Sequence, residues 1–118
     1  MLQEHDQALI KAIKDFDLPG MENALAKGAN PDLRMDDTGL TPVIHFAGAA
    51  WYDRIAALEL LFKYRADVKL ADRTGRTALH AVAKSEVWKS EQVVQILLAQ
   101  GADIEAEDKF GHRPLHIA

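Results

Sequence analysis

Hydrophobic positions follow helical spacing along much of this chain and lapse, at regular intervals, into short polar stretches. Leu9, Ile10, Ile13 and Phe16 stand at i, i+1, i+4 and i+7, while Glu4, Asp6, Lys11, Lys14 and Asp15 cover the opposite side. That pattern predicts an amphipathic helix over residues 2–16. Leu18-Pro19-Gly20 is expected to break it, and a short second helix through Met21, Ala24 and Leu25 should end at Gly28, a natural left-handed stop. Residues 28–39 show no helical period. A new helix is predicted from Thr41 as N-cap and Pro42 at its first position, with Val43, Phe46 and Ala47 on its apolar side. Beyond the connection Trp51-Tyr52-Asp53-Arg54, the positions Ala57, Leu58, Leu60, Leu61 and Phe62 are apolar over more than one face, as a helix sandwiched between neighbours would be.

The same order then repeats. Thr77, Leu79 and Val82 open a helix, residues 86–90 connect, and Val93, Val94, Ile96, Leu97 and Leu98 form a second helix closed by Gly101. The turn before each opening helix recurs at 36-residue intervals, as Asp36…Gly39, Asp72…Gly75 and Asp108…Gly111. A fixed period of this size marks a stacked repeat array. Residues 1–34 are expected to form an N-terminal cap repeat, 35–70 and 71–106 two full repeats, and 107–118 the start of another. Either a longer array continues from there, or the chain ends on a rudimentary cap.

Thr77-Ala78-Leu79-His80-Ala81-Val82, Pro114-Leu115-His116-Ile117-Ala118 and Leu97-Leu98-Ala99-Gln100-Gly101-Ala102-Asp103 resemble the opening and closing motifs of ankyrin repeats. The resemblance covers essentially the whole chain. It implies an all-α solenoid of helix–turn–helix units with short hairpin fingers, a structural role for Gly39, Thr41, Pro42, Asp72, Gly75, Thr77, His80, Asp108, Gly111 and His116, and partner binding along fingers and first helices. It also implies that the motif histidine hydrogen-bonds across its turn with one ring nitrogen donating and the other accepting. Three departures stand out. The period is 36 residues where the family's is about 33, and Thr41 to Arg65 and Thr77 to Gly101 both span 24 positions, which puts the added residues in the two helix–helix junctions. Arg65 stands where Gly28 and Gly101 stand, and would cost about 1 kcal/mol if that backbone is left-handed. Ile44 replaces the motif histidine and Arg113 the N-cap threonine, so these repeats should be less firmly tied.

Composition narrows the function. The chain has 118 residues, 48% hydrophobic and 27% charged, enough for one packed domain. A net charge of −4 with scattered basic residues argues against nucleic acid or an anionic membrane as partner. The absence of cysteine removes disulfides, thiolate catalysis and cysteine-based zinc sites. No signal peptide or spanning segment is visible, so a cytoplasmic location is expected.

Few residues invite chemistry. His112 and His116 have the i, i+4 spacing of a metal pair, but His112 precedes the helix and no third ligand is placed. Ser85 and Ser90 lack a nucleophile elbow, and the periodic Asp36, Asp72 and Asp108 are turn formers. The expectation is therefore a non-enzyme with no cofactor and no metal, a monomer that binds a protein. Candidate contacts are Met35, Asp37, Leu40, Arg73, Thr74, Arg76, Lys84, Lys109, Phe110 and His112, with Arg73 and Arg76 as a small basic spot for partner carboxylates. Trp51, Tyr52 and Trp88 lie in the lengthened junctions, and act either as binding hot spots or as packing between repeats. Two other roles stay open: a targeting or regulatory module of a longer enzyme or effector, and a stand-alone inhibitor that plugs an enzyme.

Overall fold

The computed structural model describes residues 4–49, 54–84 and 90–114, and shows six helices there and no strand. They run α1 (Glu4–Lys14), α2 (Leu18–Ala26), α3 (Pro42–Gly48), α4 (Arg54–Lys63), α5 (Ala78–Lys84) and α6 (Ser90–Ala99). The second helices begin at 18, 54 and 90, so the 36-residue period holds from the first pair onward. The fold is the all-α repeat stack that the periodicity predicts. The fingers are closed by turns, with no strand assigned among the described residues.

One local expectation is overturned. Leu18-Pro19-Gly20 does not break a helix; it is the first turn of α2. The break falls earlier, where Phe16 takes φ 50° and Asp17 caps α2 by accepting the Gly20 amide at 3.1 Å. Proline is harmless in a first turn, where its missing N–H has no intrahelical partner. Gly20 leaves room for the cap, since a Cβ there would push the Asp17 carboxylate aside. Accordingly α1 ends at Lys14, short of the predicted 16.

The second helices all close alike. The amides of Gly28, Arg65 and Gly101 bond the carbonyls of Leu25, Phe62 and Leu98, and the next amides, of Ala29, Ala66 and Ala102, reach Ala24, Leu61 and Leu97. This paired closure needs a left-handed residue. Gly28 and Gly101 supply it at φ 106° and 96°, and Arg65 supplies it at φ 68° despite its side chain.

The helices pack in a chain of neighbours: α1 on α2, α3 on both α4 and α5, and α5 on α6. Leu9, Ile13, Met21, Phe46, Leu58, Leu61, Val82, Val93 and Leu97 form one buried core through all of them. The Phe16 ring lies 6.0 Å from that of Phe46 and joins the first pair to the second. At the helix junction Arg54, the largest fully buried side chain among the described residues, turns its guanidinium onto the end of α3, donating from Nη1 to Ala47 O at 3.2 Å and Ala49 O at 2.7 Å. Burial disfavours its charged form and lowers its pKa; the two carbonyls, which no later turn of α3 could satisfy, contribute to the compensation.

Candidate protein-interaction surface

Three fingers, residues 36–40, 72–76 and 108–112, are built from one set of bonds. The leading aspartate accepts through Oδ1 from the amide two residues on: Thr38 at 2.9 Å, Thr74 at 2.8 Å and Phe110 at 2.8 Å. Asp72 and Asp108 also accept from Arg76 and His112, four residues on. The Thr38 hydroxyl and amide hold the Asp36 carboxyl below its ordinary value. At Asp108 burial acts to raise the carboxyl's pKa, but the amides of His112 and Phe110 and the charges of His112 and Arg76 outweigh it and hold it down. Gly39, Gly75 and Gly111 complete the turns at φ 81°, 80° and 78°.

Each finger is bound to the next through its backbone. Arg73 N–H donates to Thr38 O at 2.9 Å, and Lys109 N–H to Thr74 O at 2.8 Å. The contact is close enough that a Cβ on Gly39 would lie 3.1 Å from Arg73 N, and one on Gly75 3.1 Å from Asp108 Cα.

Side chains reinforce the two finger pairs differently. Between the second and third, His80 is fully buried; its Nδ1 accepts from the Thr77 amide at 3.1 Å, so the ring proton sits on Nε2, which donates to His112 O at 2.7 Å. The histidine thus ties its own turn to the following finger. Arg76 adds an ion pair to the buried Asp108, Nε to Oδ2 at 3.5 Å. Between the first and second fingers the histidine is missing, as Ile44, and Thr41 Oγ1 caps α3 directly by accepting the Ile44 amide at 3.3 Å. There Arg34 is the tie: its Nη1 donates to Gly39 O at 2.8 Å and to Ala71 O at 2.6 Å.

The candidate contacts divide accordingly. Asp37, Arg73, Thr74, Lys109, Phe110 and His112 are exposed at the tips, Phe110 to 70%. Met35 and Leu40 pair with each other, Met35 N–H to Leu40 O at 2.7 Å, and are half-buried against the core at the base of the first finger. Arg76 is drawn in by Asp108, which separates it in role from Arg73. Trp51, Tyr52, Trp88 and His116 lie outside the described residues, as does the side chain of Lys84 at the end of α5. Arg113 pairs with Glu105 at 3.2 Å and does not cap a helix by any described bond. Sequence reasoning missed two residues, Arg34 and Arg54. Both had a signal, since the register equivalents of Arg34 are Leu70 and Ala106 and those of Arg54 are Leu18 and Ser90; what the sequence hid was the main-chain partner of each.

Between the first and second fingers lies an open recess of about 250 Å³, lined by Arg34, Asp36, Gly39, Ala71, Asp72 and Arg73. Among the described residues no three His, Cys, Asp or Glu are grouped to hold a metal, and no helix is long and apolar enough to cross a membrane.

The family model described as ankyrin repeats (three copies) matches residues 47–118. Zinc finger CCCH domain-containing protein 24 of Oryza sativa subsp. japonica is 32% identical over 122 residues, covering 92% of this chain and 15% of that protein. Inversin of Gallus gallus is 37% identical over 82 residues, 70% of this chain and 7% of inversin. SH3 and multiple ankyrin repeat domains protein 2 of Homo sapiens is 33% identical over 112 residues, 93% of this chain and 6% of that protein.

Proposed function

The chain belongs to the ankyrin-repeat family, whose repeats generally mediate protein–protein interaction, and from that premise we propose that it is a non-catalytic module that holds a partner protein along its fingers. One observation carries this reading. The finger backbones are engaged in turn and cross-finger bonds, while the side chains of Asp37, Arg73, Lys109, Phe110 and His112 project from them exposed and differ from finger to finger. A rigid frame with variable tips loses little ordering entropy when a partner binds. Phe110, an exposed aromatic beside Lys109, has the chemistry of a hot-spot anchor.

The test compares partner capture by the wild type with capture by a Lys109→Ala, Phe110→Ala double variant and by a Glu59→Ala, Gln95→Ala control on the exposed faces of the second helices α4 and α6. Loss of the same partner from the tip variant alone supports the finger surface; equal capture by all three refutes it.

A second reading has its own support. The chain spans 15%, 7% and 6% of the three relatives above, so in each of them the matching segment is a small part of a longer protein. The chain would then serve as the targeting or regulatory module of a larger molecule.

A further inference from the structure

The recess between the first two fingers is too small for most drug-sized ligands, whose pockets run to roughly 300–1,000 Å³, but at about 250 Å³ it admits one polar side chain with some of its water. Its chemistry is unusual for a turn. Arg34 is held rigid by Nη1, which spends both its protons on Gly39 O and Ala71 O. In a planar guanidinium this leaves the opposite edge, Nε–H and Nη2–H, as a parallel fork. Arg73 lines the same recess, its Cγ lying close to Gly39, and makes no ion pair or side-chain hydrogen bond among the described residues. The recess carboxylates do not neutralise these arginines by direct pairing. Asp36 accepts from Thr38, and Asp72 from Thr74 and the Arg76 amide, all through Oδ1, so one oxygen of each is committed to its turn.

We infer that this recess is a socket for a carboxylate side chain, Asp or Glu, of the bound partner, gripped by the outer edge of Arg34 and by Arg73. The inference rests on the protein-binding reading above and specifies its chemistry. Two arginines against Asp36 and Asp72 leave the recess neutral, which suits a single negative charge better than a phosphate dianion. The frame uses only the Nη1 end of Arg34, on Gly39 O and Ala71 O, so the outer edge is surplus to the tie between the fingers.

A displayed library of random twelve-residue peptides, selected on the folded chain, tests this. Enriched peptides are expected to share one Asp or Glu. In a synthetic copy of the best, replacing that residue by Gln or Asn should weaken binding roughly ten- to a hundredfold, the scale of one charge-assisted bond. Arg73→Ala should weaken the acidic peptide and leave the amide version unchanged, so that the gap between the two narrows while Arg34 keeps part of it. Arg34→Lys, which keeps a donor for Gly39 O and Ala71 O, should weaken the acidic peptide while the melting temperature holds. A purely structural role for Arg34 would lower the melting temperature and weaken both peptides equally, and would overturn the socket. Tighter binding of a phosphoserine version, or acid-independent peptides unaffected by Arg73→Ala, would overturn it too; the latter leaves the protein-binding reading standing. No enriched peptide at all overturns the socket, whereas the wider reading falls only if the capture experiment also fails.

Discussion

Gly75 and Gly111 hold nearly the same backbone angle, φ 80° and 78°, in different surroundings. A Cβ on Gly75 would press on the backbone of Asp108 and Lys109 at 3.1 and 3.2 Å, whereas one on Gly111 meets, among the described residues, only the end of Glu107 at 3.7 Å. Gly111→Ala should therefore cost only the left-handed strain, about 1 kcal/mol, and Gly75→Ala clearly more, since a backbone neighbour cannot yield without parting the fingers. Urea denaturation of the two variants checks the order. Arg65 is the converse case. Its φ of 68° carries the strain already, so Arg65→Gly should raise stability by up to about 1 kcal/mol, less whatever the freer unfolded chain takes back. The position was legible as special because it aligns with Gly28 and Gly101. That the chain would keep the left-handed closure with arginine in it required the structure.

Between elements, the ties that matter are polar and buried. His80→Ala would strip partners from the Thr77 amide and weaken the hold on His112 O, and should cost about 2 kcal/mol or more; a lower melting temperature with unchanged helix content is the expected readout. Asp108 links the third finger to Arg76 and has a pKa depressed below its ordinary 3.8. A depressed carboxylate contributes stability above its unfolded value and loses it as pH falls through the folded one. Asp108→Asn should thus lower stability at neutral pH and flatten the acid limb below 3.8, seen as converging melting temperatures of variant and wild type in acid. Helix starts were readable where a cap and a proline coincide, as at Thr41-Pro42. They were misread at Leu18-Pro19-Gly20, where the same breaker residues serve an aspartate cap. Arg34 and Arg54 stand out from their register equivalents, but their roles eluded the sequence for another reason: each bonds main-chain carbonyls, and carbonyls leave no trace in residue identity.

At the scale of the molecule the stack is a series of nearest-neighbour contacts, with helices meeting helices and fingers meeting fingers. Opening should then be local. In Gly75→Ala, amide exchange at Lys109, whose N–H bonds Thr74 O, should accelerate, while Met35, whose N–H bonds Leu40 O within the first finger, keeps its protection. Uniform acceleration at both would mean a single all-or-none unit instead. The repeat architecture was legible from its period alone, because each unit must present the same apolar faces to identical neighbours. The recess between fingers was not, since it depends on Arg34, a residue the other repeats do not share.

The bonds from Arg73 N–H to Thr38 O and from Lys109 N–H to Thr74 O use main-chain atoms only. Such a joint asks for a glycine at the turn and makes no demand on the side chains at the tips. A gene segment encoding 36 residues could be copied, lost or exchanged between arrays, and the fingers would still register, while every tip stayed free to mutate toward a new partner. The joint that holds this protein together is also what lets its lineage be edited one unit at a time.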